Sequence, residues 1–95
     1  MKTYRGDRTI DGIVVLVNEE ELDPRIDAKC YSSDGFEWGY EGPAPSQLAF
    51  AILLDHFDDV EKAASAQEIF MKRAVANFHN EWEMNSDDVD HILAN

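Results

Sequence analysis

Gly35 to Asp55, GFEWGYEGPAPSQLAFAILLD, is the stretch of this sequence that decides the fold it predicts. In its first part, Phe36-Glu37-Trp38-Gly39-Tyr40, aromatic residues alternate with others, which predicts a strand with three aromatic side chains on one face. The segment from Gln47 to His56 is apolar nearly all round, which is typical of a helix buried on most sides. We therefore expect a central helix that packs on the aromatic face of a sheet.

The residues before this stretch predict further strands. Thr3 to Arg8 has the pattern of a short first strand, and Ile10-Asp11-Gly12 that of a turn, because glycine tolerates a positive φ. Ile13 to Val17 is the clearest strand: it is short, β-branched and apolar on both faces, so we expect it in the middle of the sheet.

The residues after it predict helices. Glu41 to Pro45 ends the aromatic strand, and Pro45 suits the first turn of the central helix. Val60 to Asn77 has apolar residues at spacings of three and four, which indicates an amphipathic helix. Asn85-Ser86-Asp87-Asp88 is typical of a helix start, so a short last helix should follow.

Together these patterns predict a small α+β fold. A single domain over residues 1–95 would be mainly β in residues 1–42 and mainly α in residues 45–95. We expect a small antiparallel sheet of about three strands, packed against about three helices.

The chain is strongly acidic, with 20 Asp and Glu against 8 Lys and Arg and a formal charge of -12. Free nucleic acid and anionic membranes are therefore not expected partners, because both would repel this field. Three interpretations of the charge stay open. It serves solubility, it reflects an acidic proteome, or it forms a functional surface that docks on a basic groove and imitates nucleic acid.

No pattern in the sequence assigns a compartment outside the cytosol or a cofactor. The N-terminus is polar, without the apolar region of a signal peptide, and the apolar run from Leu48 to Leu54 is too short to span a bilayer. A solitary Cys30 fits a reducing cytoplasm. We find no phosphate loop, catalytic triad or calcium-loop pattern, so we expect no cofactor and no enzymatic activity.

The segment from Gly35 to Asp55 resembles a domain-of-unknown-function family of small bacterial, archaeal and phage proteins. The matching positions are Tyr4-Arg5-Gly6, Gly35 to Tyr40, Gly42-Pro43, Gln47-Leu48-Ala49, Leu53-Leu54-Asp55, Phe70 and Trp82. The sequence departs at Glu41 and at Ala44-Pro45-Ser46, where the family has glycine and small residues. The resemblance implies a fold and a mobile-element setting, and it assigns no chemistry.

Clustered carboxylates are the candidate functional residues. The candidates for binding a protein partner form three groups along the chain: Glu19, Glu20, Glu21 and Asp23; Asp58, Asp59 and Glu61; and Glu81, Glu83, Asp87, Asp88 and Asp90. Asp55, Asp58 and Asp59 are also weak candidates for a metal site, since carboxylate oxygens suit Ca²⁺ or Mg²⁺. The competing interpretation is that these acids form ordinary solvated faces and helix caps.

Three functions follow from these candidates. The first is a non-enzymatic interaction module, plausibly phage or mobile-element encoded, whose negative surface inhibits a nucleic-acid-binding host defence protein. The second is a small enzyme or metal-binding module that uses the segment from Asp55 to Glu61. The third is a structural subunit, either a monomer or a homodimer formed through an exposed Trp82 or the last helix.

Overall fold

The sheet has four strands and packs on helices through one face only. The computed structural model describes residues 1–94, with strands β1 (Thr3–Thr9), β2 (Gly12–Val17), β3 (Glu20–Glu21) and β4 (Glu81–Asn85), helices α1 (Pro43–Phe57), α2 (Val60–Arg73) and α3 (Ser86–Ala94), and a 3-10 turn at Val75–Asn77. All strand pairs are antiparallel, in the order β3-β2-β1-β4. The α+β prediction is confirmed, with one strand more than expected. Within residues 1–94, no helix combines the length and apolarity needed to cross a membrane.

The hairpin of β1 and β2 forms where the sequence predicts it. Gly12 takes a φ of 120°, which favours glycine, and the Thr9 hydroxyl donates to the Gly12 carbonyl at 3.0 Å. β2 lies inside the sheet, between β3 and β1. This central position confirms the prediction, although only one face of β2 is covered, since Val14 is 40% exposed.

α1 is the centre of the core, as its composition predicts. Every residue from Gln47 to Leu54 is buried. The helix begins at Pro43, two residues before Pro45, because proline is well suited to the first helical position, where no backbone donor is needed. Gln47 is fully buried and binds four backbone groups of the preceding loop: its side-chain oxygen accepts from the N–H groups of Tyr31 and Ser32, and its side-chain nitrogen donates to the carbonyls of Pro24 and Lys29.

The aromatic segment Phe36–Tyr40 is not a strand, contrary to expectation. Gly35 and Gly39 take φ values of 94° and 89°, which break the extended backbone that strict alternation requires. Trp38 is therefore buried at 1% exposure, whereas Phe36 is half-buried and Tyr40 is 49% exposed.

The fourth strand lies in the segment that we expected to be mainly helical. Glu81 to Asn85 pairs with β1, with Trp82 opposite Gly6 and Met84 opposite Tyr4. Trp82 is 8% exposed and stacks on Phe78, so it is not the exposed dimer contact that we considered. α3 begins directly after β4, as its start signal predicts.

Candidate interaction surface

The candidate site is the face of the sheet that turns away from the helices, here called the outer face. Because side chains alternate along a strand, burial of Tyr4 and Gly6 places Arg5 and Asp7 on the opposite side. Paired residues share a face, which extends it to the other strands. The outer face consists of Arg5, Asp7, Val14, Leu16, Glu21, Glu81 and Glu83, none of which is buried.

Two cross-strand rows order these side chains. One row runs Glu21, Leu16, Arg5, Glu83, and the other runs Val14, Asp7, Glu81. Directly opposite residues have Cβ atoms about 4.5–5.5 Å apart, and residues two apart on a strand are separated by about 7 Å. The rows thus join carboxylates of the first and third sequence groups, which lie some sixty residues apart in the chain.

The single cation of the outer face is already paired. The Arg5 guanidinium donates from Nε to Glu19 Oε1 at 3.1 Å and from Nη2 to Glu19 Oε2 at 2.8 Å, across the β2–β3 turn. This hydrogen-bonded pair raises the pKa of Arg5 and lowers the pKa of Glu19, and the nearby charges of Glu83 and Asp7 raise the pKa of Arg5 further. Arg5 therefore neutralises Glu19 first.

Apart from Glu21 on β3, which is also unpaired, three carboxylates of the outer face have no ion pair or side-chain hydrogen bond within residues 1–94: Asp7, Glu81 and Glu83. They border a shallow depression of about 320 Å³ between β1 and β4. Arg5 also lines this depression and attracts Asp7 and Glu83, but its guanidinium is bonded to Glu19. A positively charged partner would therefore lower the free energy of this surface.

The rest of the first sequence group lies near the edge formed by β3. Glu20 is on β3 and exposed, and it pairs with Val17. Asp23 accepts a hydrogen bond from the backbone N–H of Arg25 at 2.8 Å, so it stabilises the loop after β3.

Asp58 and Asp59 of the second group, together with the neighbouring metal candidate Asp55, serve mainly to fix structure. Asp55 accepts from Lys2 Nζ at 2.8 Å and from the Tyr4 hydroxyl at 2.9 Å, joining β1 to α1. Burial and this hydrogen bond raise the pKa of Tyr4 well above its ordinary value. Asp58 ends α1 in the left-handed region, and Asp59 caps α2 by accepting from the Lys62 N–H at 3.1 Å.

Glu61 and the remaining acids of the third group lie on α2 and α3. Glu61 is in the first turn of α2, and Asp87 is in the first turn of α3. Asp88 accepts from the Asn85 N–H at 2.9 Å and completes a reciprocal cap. Asp90 lies 2.7 Å from His56 Nε2.

Among residues 1–94, no group of three or more His, Cys, Asp or Glu side chains is placed to hold a metal ion. In particular, Asp55 is engaged by Lys2 and Tyr4, whereas Asp59 is engaged by a helix N-terminus. Two of the three weak metal candidates, Asp55 and Asp59, thus have their carboxylates engaged in structural contacts.

Sequence reasoning missed Arg5 and Asp7 as members of the surface, and it missed that β4 carries Glu81 and Glu83. The signal was present, since Glu81-Trp82-Glu83-Met84 alternates charged and apolar residues with a period of two. The same alternation in Thr3 to Asp7 would have placed Asp7 on the outward side of β1.

Another open groove lies elsewhere, beside the end of β1. It is lined by Arg8, Glu37, Trp38, Tyr40 and His79, among others. Arg8 is occupied there: it pairs with Glu37 and donates to Asn80 Oδ1 at 2.8 Å and to the Trp38 carbonyl at 3.2 Å. These contacts hold the aromatic segment to β1, so the cation of the groove is used for structure.

Comparison with known proteins identifies a family but no characterised relative. No curated protein and no solved structure matched the chain. A family model described as a family of unknown function, DUF6166, matches residues 4–95, nearly the whole chain. The chain therefore belongs to the DUF6166 family.

Proposed function

We propose that this protein is a non-enzymatic interaction module that binds a basic surface of another protein through the outer face of its sheet. The observation that carries the proposal is the register that brings Asp7, Glu81 and Glu83 together beside a single cation, Arg5, which is already bonded to Glu19. A partner surface with Lys or Arg side chains at matching spacing would supply the missing charges.

The energetics favour several weak contacts acting together. A solvent-exposed ion pair contributes only about 0.2–1 kcal/mol, so no single carboxylate would decide binding. A field of like charge acts at longer range and accelerates association with an oppositely charged partner, most strongly at low salt. Binding should therefore weaken steeply as salt is added.

The partner that suits this chemistry best is a protein whose own ligand is nucleic acid. Such proteins carry Lys and Arg in grooves that accept phosphates, and an acidic sheet face would compete with phosphates for these side chains. The full form of the proposal is an inhibitor of a host defence protein, encoded by a phage or another mobile element. The family resemblance motivates that setting, and the charge supports the mimicry.

Two matched sets of substitutions test the role of the outer face. The first set, Asp7→Asn, Glu81→Gln and Glu83→Gln, removes three negative charges from it. The second set, Glu61→Gln, Glu68→Gln and Asp87→Asn, removes the same charge from the exposed sides of α2 and α3. The unmodified protein would be used to capture partners from host lysate, and each captured protein would be purified and titrated against all three forms.

The proposal predicts a captured protein with a basic nucleic-acid site, displaced by duplex DNA and by salt. The first set should weaken its binding by up to about a hundredfold, if each lost ion pair contributes about 0.2–1 kcal/mol, and the second set should weaken it only slightly. Equal losses of affinity in both sets would show that only net charge matters, and would overturn a specific role of the outer face. Capture of proteins that duplex DNA does not displace would overturn the nucleic-acid mimicry.

A further inference from the structure

β4 is an edge strand, because the sheet order is β3-β2-β1-β4 and only β1 pairs with it within residues 1–94. Its pairing with β1 runs without a bulge from Thr3 opposite Asn85 to Asp7 opposite Glu81. β4 also contains no proline. The opposite edge, β3, is only two residues long, so β4 is the longer of the two open edges.

The register shows which backbone groups of β4 are unpaired. Asn80 accepts a backbone hydrogen bond from Arg8 at 3.1 Å, and Ser86 donates one to Lys2 at 3.0 Å. In an antiparallel pair, hydrogen-bonded positions alternate along the strand, so Trp82 and Met84 also bond to β1. The N–H and C=O groups of the residues between them, Glu81 and Glu83, must point away from the sheet.

No described contact covers those four groups. The next outward N–H, that of Asn85, is used by the Asp88 carboxylate in the cap of α3. The hydrogen bonds of residues 1–94 include none from the outward N–H or C=O groups of Glu81 and Glu83 to another loop or side chain. They therefore form a short template to which an extended chain can bond.

Charge decides which chain fits the template. A second copy pairing through β4 in a continuous sheet would place Glu81 and Glu83 beside the same glutamates of its neighbour, and like charges directly opposite are destabilising. A segment with Lys or Arg at every second position would instead place its cations beside these glutamates. On β1, Asp7 lies opposite Glu81 and adds to the attraction, whereas Arg5 lies opposite Glu83 with its charge paired to Glu19.

We propose that β4 pairs with an extended segment of the protein partner that carries Lys or Arg at every second position, so that this segment becomes a fifth strand of the sheet. The inference rests on the proposed function, because it assumes that a basic protein binds the outer face. It adds the mode of binding: the glutamates attract the segment, and the backbone of β4 holds it.

The probe is a synthetic peptide of alternating lysine and threonine, titrated at low salt. A second peptide of equal charge carries methyl groups on the backbone nitrogens of its central residues, so it keeps the attraction but cannot donate backbone hydrogen bonds to β4. We expect the first peptide to bind about tenfold more tightly, in line with the loss of one or two backbone hydrogen bonds. Equal binding of the two peptides would overturn strand addition.

Matched proline substitutions show which edge strand, β4 or β3, binds the peptide. Glu83→Pro removes an outward N–H of β4 without touching its bonds to β1. Glu21→Pro removes the corresponding outward N–H of β3, because Leu22 donates to Val15 at 3.0 Å and Glu21 therefore faces away. Glu83→Pro should weaken binding of the alternating peptide about tenfold. Glu21→Pro and the charge-only variant Glu83→Gln should each weaken that binding about threefold or less.

Amide exchange in the unmodified protein gives a readout that does not depend on any variant folding. On addition of the alternating peptide, the N–H groups of Glu81 and Glu83 should exchange more slowly, and that of Glu21 should not. Unchanged exchange at Glu81 and Glu83 overturns strand addition. If the charge variants of the outer face still weaken binding of the captured partner, the proposed function stands without strand addition. If they leave that binding unchanged, strand addition and the proposed function both fail.

Discussion

Gly6 lies directly against the indole ring of Trp82, so closely that a Cβ atom at residue 6 would be 2.3 Å from Trp82 Nε1. The two residues are opposite each other in the β1–β4 register. Trp82 in turn meets Trp38 edge to face, with ring centroids 5.7 Å apart. The absence of a side chain at residue 6 is therefore what lets the inner face of the sheet close over both tryptophans.

Gly6→Ala should destabilise the protein by about 1–3 kcal/mol, because the added methyl must displace a ring packed between Gly6 and Phe78. Urea unfolding followed by tryptophan fluorescence would measure this, with a shift in the native emission. Gly42→Ala is the control, since its one close contact would be the Tyr40 ring at 3.0 Å, with Pro45 Cδ at an ordinary 4.0 Å, and Tyr40 is 49% exposed. Equal stability of the Gly6 variant and the parent protein would contradict this packing.

Gln47→Met should cost about 2–4 kcal/mol, because methionine keeps the volume but leaves the loop's backbone groups without the partners that Gln47 supplies. Gln67→Met is a matched control, because Gln67 is also buried but its side chain makes no hydrogen bond within residues 1–94. Denaturant midpoints of both variants would be compared. A cost for Gln47→Met no larger than that for Gln67→Met would show that the loop does not depend on this amide.

Arg8→Lys should destabilise by about 1–2 kcal/mol although charge is kept. A lysine cannot reproduce the fork that binds Glu37, Asn80 and the Trp38 carbonyl, or the guanidinium's position 4.9 Å from the Trp38 ring centroid. Arg25→Lys changes a solvent-exposed pair with Asp27 and should have almost no effect. Thermal unfolding distinguishes the two variants, and similar melting temperatures would refute the role of Arg8.

The Tyr4 hydroxyl should make the protein sensitive to alkali. Folding raises the pKa of Tyr4, chiefly by burial and also through Asp55, so the folded state holds a proton that the unfolded state releases once the pH passes the ordinary tyrosine value of 10.0. The free energy of unfolding should be independent of this group below that pH and should fall above it.

Tyr4→Phe isolates this contribution. The variant loses the 2.9 Å hydrogen bond to Asp55 and should be less stable by about 1–2 kcal/mol near neutral pH. Above about pH 10 its stability should decline less steeply than that of the parent protein, since its unfolded state has no hydroxyl at residue 4 to ionise. Parallel curves of unfolding free energy against pH would contradict the assignment.

How much was predictable differs between elements. The helix at Gln47 to Leu54 and the hairpin of β1 and β2 could be predicted, because apolarity and β-branched residues act over a few neighbouring positions. The strand predicted at Phe36 to Tyr40 was wrong, because Gly35 and Gly39 adopt left-handed backbone that a period-two pattern does not reveal. The four-strand topology could not be predicted, because Glu81 to Asn85, which forms β4, was interpreted as part of a helical region.

The sequence by itself determined the α+β class, the buried position of α1, the membership of a family and the excess of negative charge. Only the tertiary structure decided which of the acidic side chains lie close together. Pairing of β4 with β1 joins residues near the two ends of the chain, and such long-range register depends on packing around Gly6 and Trp82 rather than on local preference. The stretch from Gly35 to Asp55 thus supplies the scaffold, and the acidic outer face arises from strands on either side of it.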